Sequence, residues 1–278
     1  MQKAEVKLFT ATGTHAFEGE TDFDMRNNKR IPLILDTIQR SLPLLMDANA
    51  IKAMVTWPKF SITAYAIVSD LFKQGIRPKT VIDVGANTGQ FTVAACNIFK
   101  GVIVHAFEPI EKCVDRLRAN TSRYKNIHIH PVALGDDCKT AAFHMNNYSL
   151  ASSLLRLSDK HQAEFSQATE RETVSVAVRT LDSNFFDKPL AAPVLMKLDV
   201  QGAERMVIEG GRETLQRMDY ILMETSFSPM YIGEPCFTEM IDVMRMRDFD
   251  LVRPMHFLRS PRSGEILQAD ILFRHRNR

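Results

Sequence analysis

Little in this chain asks for a special environment. Among 278 residues there are four cysteines, one tryptophan, and twelve each of glycine and proline. Cys96, Cys113, Cys138 and Cys236 form no C-x-x-C pair and match no zinc ribbon or finger. A chain of this length needs no disulfide staples, so reduced thiols in a cytoplasmic protein are expected. The ordinary glycine and proline contents exclude collagen-like and low-complexity readings. Charge of one sign is missing too, since 35 basic and 33 acidic residues give a formal net charge of +2. Nucleic-acid binders carry a stronger, clustered basic excess, so no nucleic-acid partner is expected. No apolar run approaches the roughly 20 residues that cross a bilayer. The opening Met1-Gln2-Lys3-Ala4-Glu5-Val6-Lys7 is of mixed charge with no apolar core after it, so it does not read as a signal peptide.

What is present is an ordinary globular balance, 45% hydrophobic and 24% charged, enough apolar material to offset ordering entropy. The expectation is one α/β domain over residues 78–278 behind an arm and helical extension over residues 1–77. Residues 1–30 are polar and weakly patterned. From Ile31 to Phe72 apolar residues recur at helical spacing, as at Ile34, Leu35, Ile38 and Leu42, then Ala64, Ile67, Val68 and Leu71. Pro43 and Trp57-Pro58 divide this stretch into helices.

From Thr80 the texture changes. Thr80–Val84, Val102–Phe107 and Ile127–Val132 read as buried strands, with helices through Phe91–Ile98 and Glu111–Asn120 between them. That alternation specifies a parallel sheet covered by helices. After a looser middle, Val194–Leu198 and Tyr220–Met223 read as two more strands, joined by a helix from about Ala203 to Met218. Phe249–Val252 and Ala269–Phe273 look like a final strand pair. Met240, Met244 and Met246 sit at near-helical spacing and read as core filling.

Four turns at strand ends carry the chemistry. The first is Asp83-Val84-Gly85-Ala86-Asn87-Thr88-Gly89-Gln90, at the point where an open α/β sheet has its ligand crevice. Gly85 would permit a tight turn with close ligand approach, and Gly89 would bring the helix against the strand. The spacing is G-x-x-x-G, unlike the G-x-G-x-x-G that seats a pyrophosphate. A carboxylate at Asp83 would repel a phosphate and suits a cationic amino group. The ligand suggested is a zwitterion with a sugar and a base. The second turn, Phe107-Glu108-Pro109, places an acid where it can accept bonds from both hydroxyls of an unphosphorylated ribose. In the third, Ala133-Leu134-Gly135-Asp136, Leu134 could flank a purine and Asp136 bond its amino group, or the segment is a plain surface turn. The fourth, Lys197-Leu198-Asp199-Val200-Gln201-Gly202-Ala203-Glu204, gathers three ionisable groups around one strand end. Buried charges are costly unless paired or functional. A structural Lys197–Glu204 pair competes with a functional reading, while Asp199 at the crevice is harder to dismiss.

These turns, in this order and followed by Val207-Ile208-Glu209-Gly210-Gly211, resemble the FkbM family of S-adenosylmethionine-dependent methyltransferases. The resemblance covers about residues 78–227. It implies a Rossmann-like class I methyltransferase fold, a mostly parallel seven-stranded sheet whose last strand is antiparallel. It also implies S-adenosylmethionine as cofactor and O-methylation of a hydroxyl on a sugar, glycan or polyketide-type small molecule. Ser149-Leu150-Ala151-Ser152-Ser153-Leu154 resembles the small-residue stretch that members carry near the cofactor, which adds Ser152 and Ser153 to the cofactor set. An alcohol needs its proton removed before it attacks. Asp199, which also belongs to the cofactor set, is the first candidate for that base or for the group that orients the acceptor, Glu224 the second and Lys197 the third. His128-x-His130 alternates along a strand, so the two rings can share a face, as a metal pair or as polar-tipped strand residues. His144 stays open, and no metal is expected. A homo-oligomer stays open too. Two rival readings are a non-catalytic module that keeps the cofactor site and a nicotinamide-dependent oxidoreductase.

Overall fold

The computed structural model describes residues 47–147, 151–165 and 169–278. The arm and the helical pattern from Ile34 to Leu42 lie outside the described residues, as do Ser149 and Leu150.

Among the described residues two helices precede the sheet, α1 (Ala48–Thr56) and α2 (Ile62–Lys73). Trp57-Pro58 separates them as the sequence predicts, and Ser61 caps α2 by accepting the Ala64 N–H at 3.3 Å, worth about 1 kcal/mol. Next come β1 (Thr80–Val84), α3 (Gln90–Ile98), β2 (Ile103–Phe107), α4 (Glu111–Thr121) and β3 (Ile127–His130). A short β4 (Ala133–Leu134) and a longer β5 (Lys139–Asn146) lead to α5 (Asp159–Glu164), β6 (Glu170–Arg179) and α6 (Leu181–Phe185). The chain continues through β7 (Val194–Leu198), α7 (Glu204–Glu209), α8 (Arg212–Leu215) and β8 (Tyr220–Ser226). It closes with α9 (Phe237–Met246), β9 (Phe249–Arg259) and β10 (Ile266–His275).

Seven strands form the main sheet in the order β3-β2-β1-β7-β8-β10-β9. All its pairings are parallel except those of β10, the last strand, which runs antiparallel between β8 and β9. This is the class I methyltransferase topology that the resemblance implies. The order reverses at β1, so β1 and β7 diverge into crossovers on either side and leave a crevice at their carboxyl ends.

Side chains alternate across the sheet, and the two faces have separate cores. Ile82, Val84, Met196, Leu198, Ile221 and Met223 pack with α6 to α9 on one face. Val81, Leu195, Leu222 and Leu272 pack with Val68 and Leu71 of α2 and with α3 on the other. Each fully buried leucine contributes about 1.5–3 kcal/mol. Thus α2 shares a core with the sheet. By the same alternation Asp83, Lys197, Glu224 and Asp270 all belong to the α2–α3 face.

Three expectations need correction. The single helix expected over Ala203–Met218 is broken at Gly210-Gly211 into α7 and α8. A Cβ on Gly210 would lie 2.0 Å from the Gly135 carbonyl oxygen, so the third turn packs directly on this break. Asp182 then caps α8, accepting the Thr214 N–H at 2.7 Å. Second, the loose middle is a sheet, with β5 antiparallel to β6 and β4 parallel to it. His144 belongs to it, its Nδ1 lying 3.0 Å from Glu170 Oε1. Third, Met240 and Met244 are buried as expected, but Met246 is 75% exposed. Two residues beyond Met244 is about 200° around a helix, which turns it outward.

Candidate active site

The crevice at the ends of β1, β2 and β7 opens onto about 580 Å³ of empty space, solvent mouth included. Gly85, Asn87, Glu108, Pro109, Leu134, Ser152 and Asp199 line it, so the structure brings together residues from all four turns. Phe143 of β5, Leu154, Ile110 and Val132 complete an apolar wall.

Glu108 is the fixed polar end. Its Oε2 accepts the Asn87 N–H and its Oε1 the Ile110 N–H, both at 2.9 Å. Burial pushes its carboxyl up to about 7, against those two donors, which favour the ionised form. Asn87 presents its amide from a left-handed backbone, φ 48°. Each carboxylate oxygen keeps a second lone pair for a ligand hydroxyl.

Gly85 is required here for a different reason than the sequence suggests. Its φ is 80°, and a Cβ there would stand 1.9 Å from the Asp199 carbonyl oxygen. The approach it permits is that of the β7 turn, made by the protein itself. Gly89 likewise lets α3 close on Leu117 of α4, at 2.8 Å from an added Cβ.

Several expected cofactor residues face elsewhere. Asp83 is fully buried. It takes the Thr92 hydroxyl at 2.6 Å and faces Lys197 Nζ at 3.9 Å. It therefore cannot reach an amino group in the crevice, and its charge holds Lys197 instead. Burial raises its carboxyl, partly offset by that ammonium. Asp136 is exposed and paired with Lys139 at 2.9 Å, away from the crevice lining. Ala86 packs with Ala106 and Leu117, Gln90 accepts the Thr88 hydroxyl at 3.2 Å, and Gly135 donates its N–H to the Arg179 carbonyl at 2.9 Å. Ser152 lines the crevice. Ser153 is buried behind it and donates to the Gln201 carbonyl at 2.6 Å, clamping the β7 turn.

The β7 turn holds the acid–base candidates. Asp199 Oδ2 accepts Lys197 Nζ at 2.9 Å, and Oδ1 accepts Gln201 Nε2 at 2.6 Å. Burial works against the Lys197 charge, yet the Asp199 and Asp83 carboxylates overcome it and raise its pKa. Lys197 thus stays an ammonium near neutrality and cannot serve as a base, which removes the third candidate. The Lys197–Glu204 pair does not form. Glu204 instead accepts the Val200 and Gly202 N–H groups, at 2.9 and 3.3 Å. Glu224 stands beside Asp199 across β8, its Oε2 accepting Gln201 Nε2 and Gln268 Nε2, each at 3.1 Å. Burial and the neighbouring Asp199 and Asp270 carboxylates push Glu224 well above the usual carboxylate range.

His128 and His130 do share a face, with His105 of β2. His105 and His128 stack at 4.8 Å, and His105 Nδ1 lies 3.2 Å from His130 Nε2. Among the described residues no group of three or more metal-ligand side chains is arranged around a metal position.

A family model covers the part of the chain that carries these turns. The methyltransferase FkbM domain matches residues 83–251, more than half of the chain. The chain belongs to the FkbM methyltransferase family. Among curated FkbM-type relatives, 2-O-methyltransferase NoeI of Sinorhizobium fredii is 28% identical over 202 residues, spanning 70% of this chain and 79% of that protein. The 31-O-demethyl-FK506 methyltransferase FkbM of Streptomyces tacrolimicus is 26% identical over 199 residues, 64% of this chain and 75% of that protein. A solved structure of Burkholderia thailandensis 1,6-didemethyltoxoflavin-N1-methyltransferase aligns over 88% of this chain and 90% of its own, at 11% identity and a TM-score of 0.41. The FkbM domain thus begins at Asp83, the last but one residue of β1, and takes in all four turns.

The residues missed from the sequence are Gln201 and Tyr231, which tie Asp199 to Glu224, and Phe143 in the crevice wall. Gln201 stood inside the most specific motif. Phe143 needed the β5–β6 sheet, whose signal was the Val174-Ser175-Val176-Ala177-Val178 alternation.

Proposed function

We propose that this methyltransferase binds S-adenosylmethionine in the crevice and methylates a hydroxyl oxygen of a glycan or polyketide-type acceptor. The observation that carries the reading is Glu108, fixed by two main-chain N–H groups with its remaining lone pairs on the crevice, beside Asp199. An acid in that place suits a ribose diol and repels a ribose phosphate or pyrophosphate. Leu134, Ile110 and Phe143 supply an apolar slot for a base, and the donor set fits an adenosine-type ligand without phosphate. When bound, S-adenosylmethionine supplies a methyl group already activated on a sulfonium.

The chain's own work is alignment and proton handling. Asp199 lies between the crevice and the Glu224 side of the sheet. Its carboxylate lines the crevice and takes the Lys197 ammonium on Oδ2, which places it to accept the proton that the acceptor hydroxyl gives up as its oxygen takes the methyl. Glu224 shares the Gln201 amide with Asp199 and is the neighbouring reservoir for that proton. Both curated relatives are named for methylation at an oxygen, which supports an oxygen acceptor here.

Calorimetry with S-adenosylhomocysteine and with NAD tests the cofactor reading. Tight binding of the first and none of the second is expected, and the reverse would make the protein an oxidoreductase. Incubating cell-extract fractions with methyl-tritiated cofactor tests catalysis. Label should appear on a hydroxyl oxygen of one fraction, and cofactor binding without label in any fraction would leave a binding module.

A further inference from the structure

Gln201 occupies a position that no simple loop residue would need. Its backbone is left-handed, φ 59°, and is followed by Gly202 at φ 92°, where a Cβ would strike the Tyr231 ring at 2.9 Å. Ser153 fixes the Gln201 carbonyl from one side, and Glu204 fixes the N–H groups of Val200 and Gly202 from the other. The turn is therefore built so that one side chain enters the space between two carboxylates.

The amide end is fully committed. Nε2 donates to Asp199 Oδ1 at 2.6 Å and to Glu224 Oε2 at 3.1 Å, while Oε1 accepts the Tyr231 hydroxyl at 2.6 Å. Rotating the amide by half a turn would face its oxygen toward two carboxylates, so only one orientation satisfies every group. Tyr231 is buried, and its hydroxyl also lies 3.3 Å from the Ala151 carbonyl. Outside this unit, Lys197 anchors the far oxygen of Asp199, and Gln268 anchors Glu224.

We propose that Gln201, aimed by Tyr231, is the positioning residue that couples Asp199 and Glu224 into one proton-accepting pair. This rests on the reading of the site as a methyltransferase acting on a hydroxyl. A neutral amide with two N–H groups offsets part of the repulsion between the two carboxyl groups, and the pair takes up the acceptor's proton as a unit. The proton leaves the acceptor oxygen for a carboxylate oxygen as the methyl–oxygen bond forms and the methyl–sulfur bond of the sulfonium breaks, releasing the neutral thioether S-adenosylhomocysteine, so charge and atoms balance. The charged groups facing the pair are Asp83 and Lys197 from β1 and β7, Asp270 from β10 with His256 beside it on β9, and Glu204 and Glu234 from the loop side.

Two variants test the coupling, Tyr231→Phe and Gln201→Glu, using the extract fraction that wild-type protein labels with tritiated methyl. Tyr231→Phe removes one hydroxyl and should lower the saturated single-turnover rate about tenfold, the scale of one lost hydrogen bond. Gln201→Glu should lose about a hundredfold near pH 8 and recover toward acidic pH, where the introduced carboxyl carries a proton and can donate again. In both, S-adenosylhomocysteine affinity should stay near wild type, and the rate loss at saturation should exceed whatever the unpaired or repelled group costs in melting temperature. An unchanged rate and pH profile in both variants would overturn the inference while leaving the functional reading intact. So would a rate loss matched by an equal loss of cofactor affinity or melting temperature, which marks a structural role. Wild-type protein that labels no fraction defeats the functional reading itself and the inference with it.

Discussion

The two halves of the crevice hold their acids by different means. On the β1–β2 side Glu108 is gripped by main-chain N–H groups of Asn87 and Ile110. On the β7–β8 side Asp199 and Glu224 are gripped by side chains, those of Lys197, Gln201 and Gln268. Main-chain donors come with the fold and survive any substitution but proline, so that half is a rigid socket. Side-chain donors can be exchanged singly, so the other half is the adjustable one. A constant cofactor and a changeable acceptor would call for this division.

Gly85→Val would break the comparison most severely, because it strikes where the halves meet. A Cβ 1.9 Å from the Asp199 carbonyl cannot be accommodated without moving the β7 turn, and φ 80° adds strain. The expected outcome is loss of measurable S-adenosylhomocysteine binding together with a lower melting temperature, by several kcal/mol of stability. Calorimetry and thermal unfolding on one preparation check it. Wild-type affinity would mean that the turn does not organise the cofactor site.

Asp199→Asn keeps the shape and removes the charge of the adjustable half. Saturated single-turnover rate should fall about 10²–10⁴-fold, the usual scale for loss of a general base. Cofactor affinity should change far less, since Glu108 and its two donors are untouched. A fall in affinity with near-normal chemistry at saturation would assign Asp199 to the socket.

That contrast between halves also decided what could be read in advance. The socket was legible because its parts are contiguous: a buried strand, a glycine turn and an acid at the next strand end. Glu108 and Leu134 both line the crevice. Asp83 failed because adjacency in sequence is not adjacency in space. A β-strand turns successive side chains to opposite faces, and Asp83 points to the α2–α3 core. The adjustable half is assembled from Gln201, Glu224, Tyr231 and Gln268, which are far apart along the chain and meet only through sheet register. The β5–β6 sheet was missed because the first residues of β6, Glu170-Arg171-Glu172-Thr173, carry no apolar side chain.

Glu108→Gln sharpens the comparison from the socket side. Two charge-assisted bonds to ribose, about 1.5–3 kcal/mol each at most, would be weakened. The pH dependence is the more specific readout. The free protein holds the Glu108 carboxyl at about 7. Ribose hydroxyls donate to the ionised form, so binding below that pH must first release a proton. Affinity for S-adenosylhomocysteine should therefore rise with pH by up to about tenfold per unit below 7 and level off above 8. In Glu108→Gln the curve should be lower and flatter. An equal slope in both proteins would place the titrating group elsewhere.

The smallest effect concerns the fold behind the socket, where His105 and His130 meet on β2 and β3. Burial, together with neighbouring positive groups, lowers both imidazoles from 6.5 to about 4. Between those values the unfolded chain binds protons that the folded chain refuses. Their contribution is thus fully present above about pH 6.5 and is lost as pH falls toward 4. Glu108 and Glu204, raised to about 7 and about 8, act in the opposite sense, favouring the folded state as they take up protons. Only a difference curve separates the two trends. His130→Phe keeps a ring over Phe107, which His130 stacks on at 4.3 Å, while removing one titrating group. Its melting temperature should fall less steeply than wild type between pH 6.5 and 4. The gain should be below the full 1.4 kcal/mol per pH unit that one proton is worth, about half or less, because the imidazole keeps partial contact with solvent. Parallel curves would show that His130 takes up its proton over the same pH range in the folded and the unfolded chain.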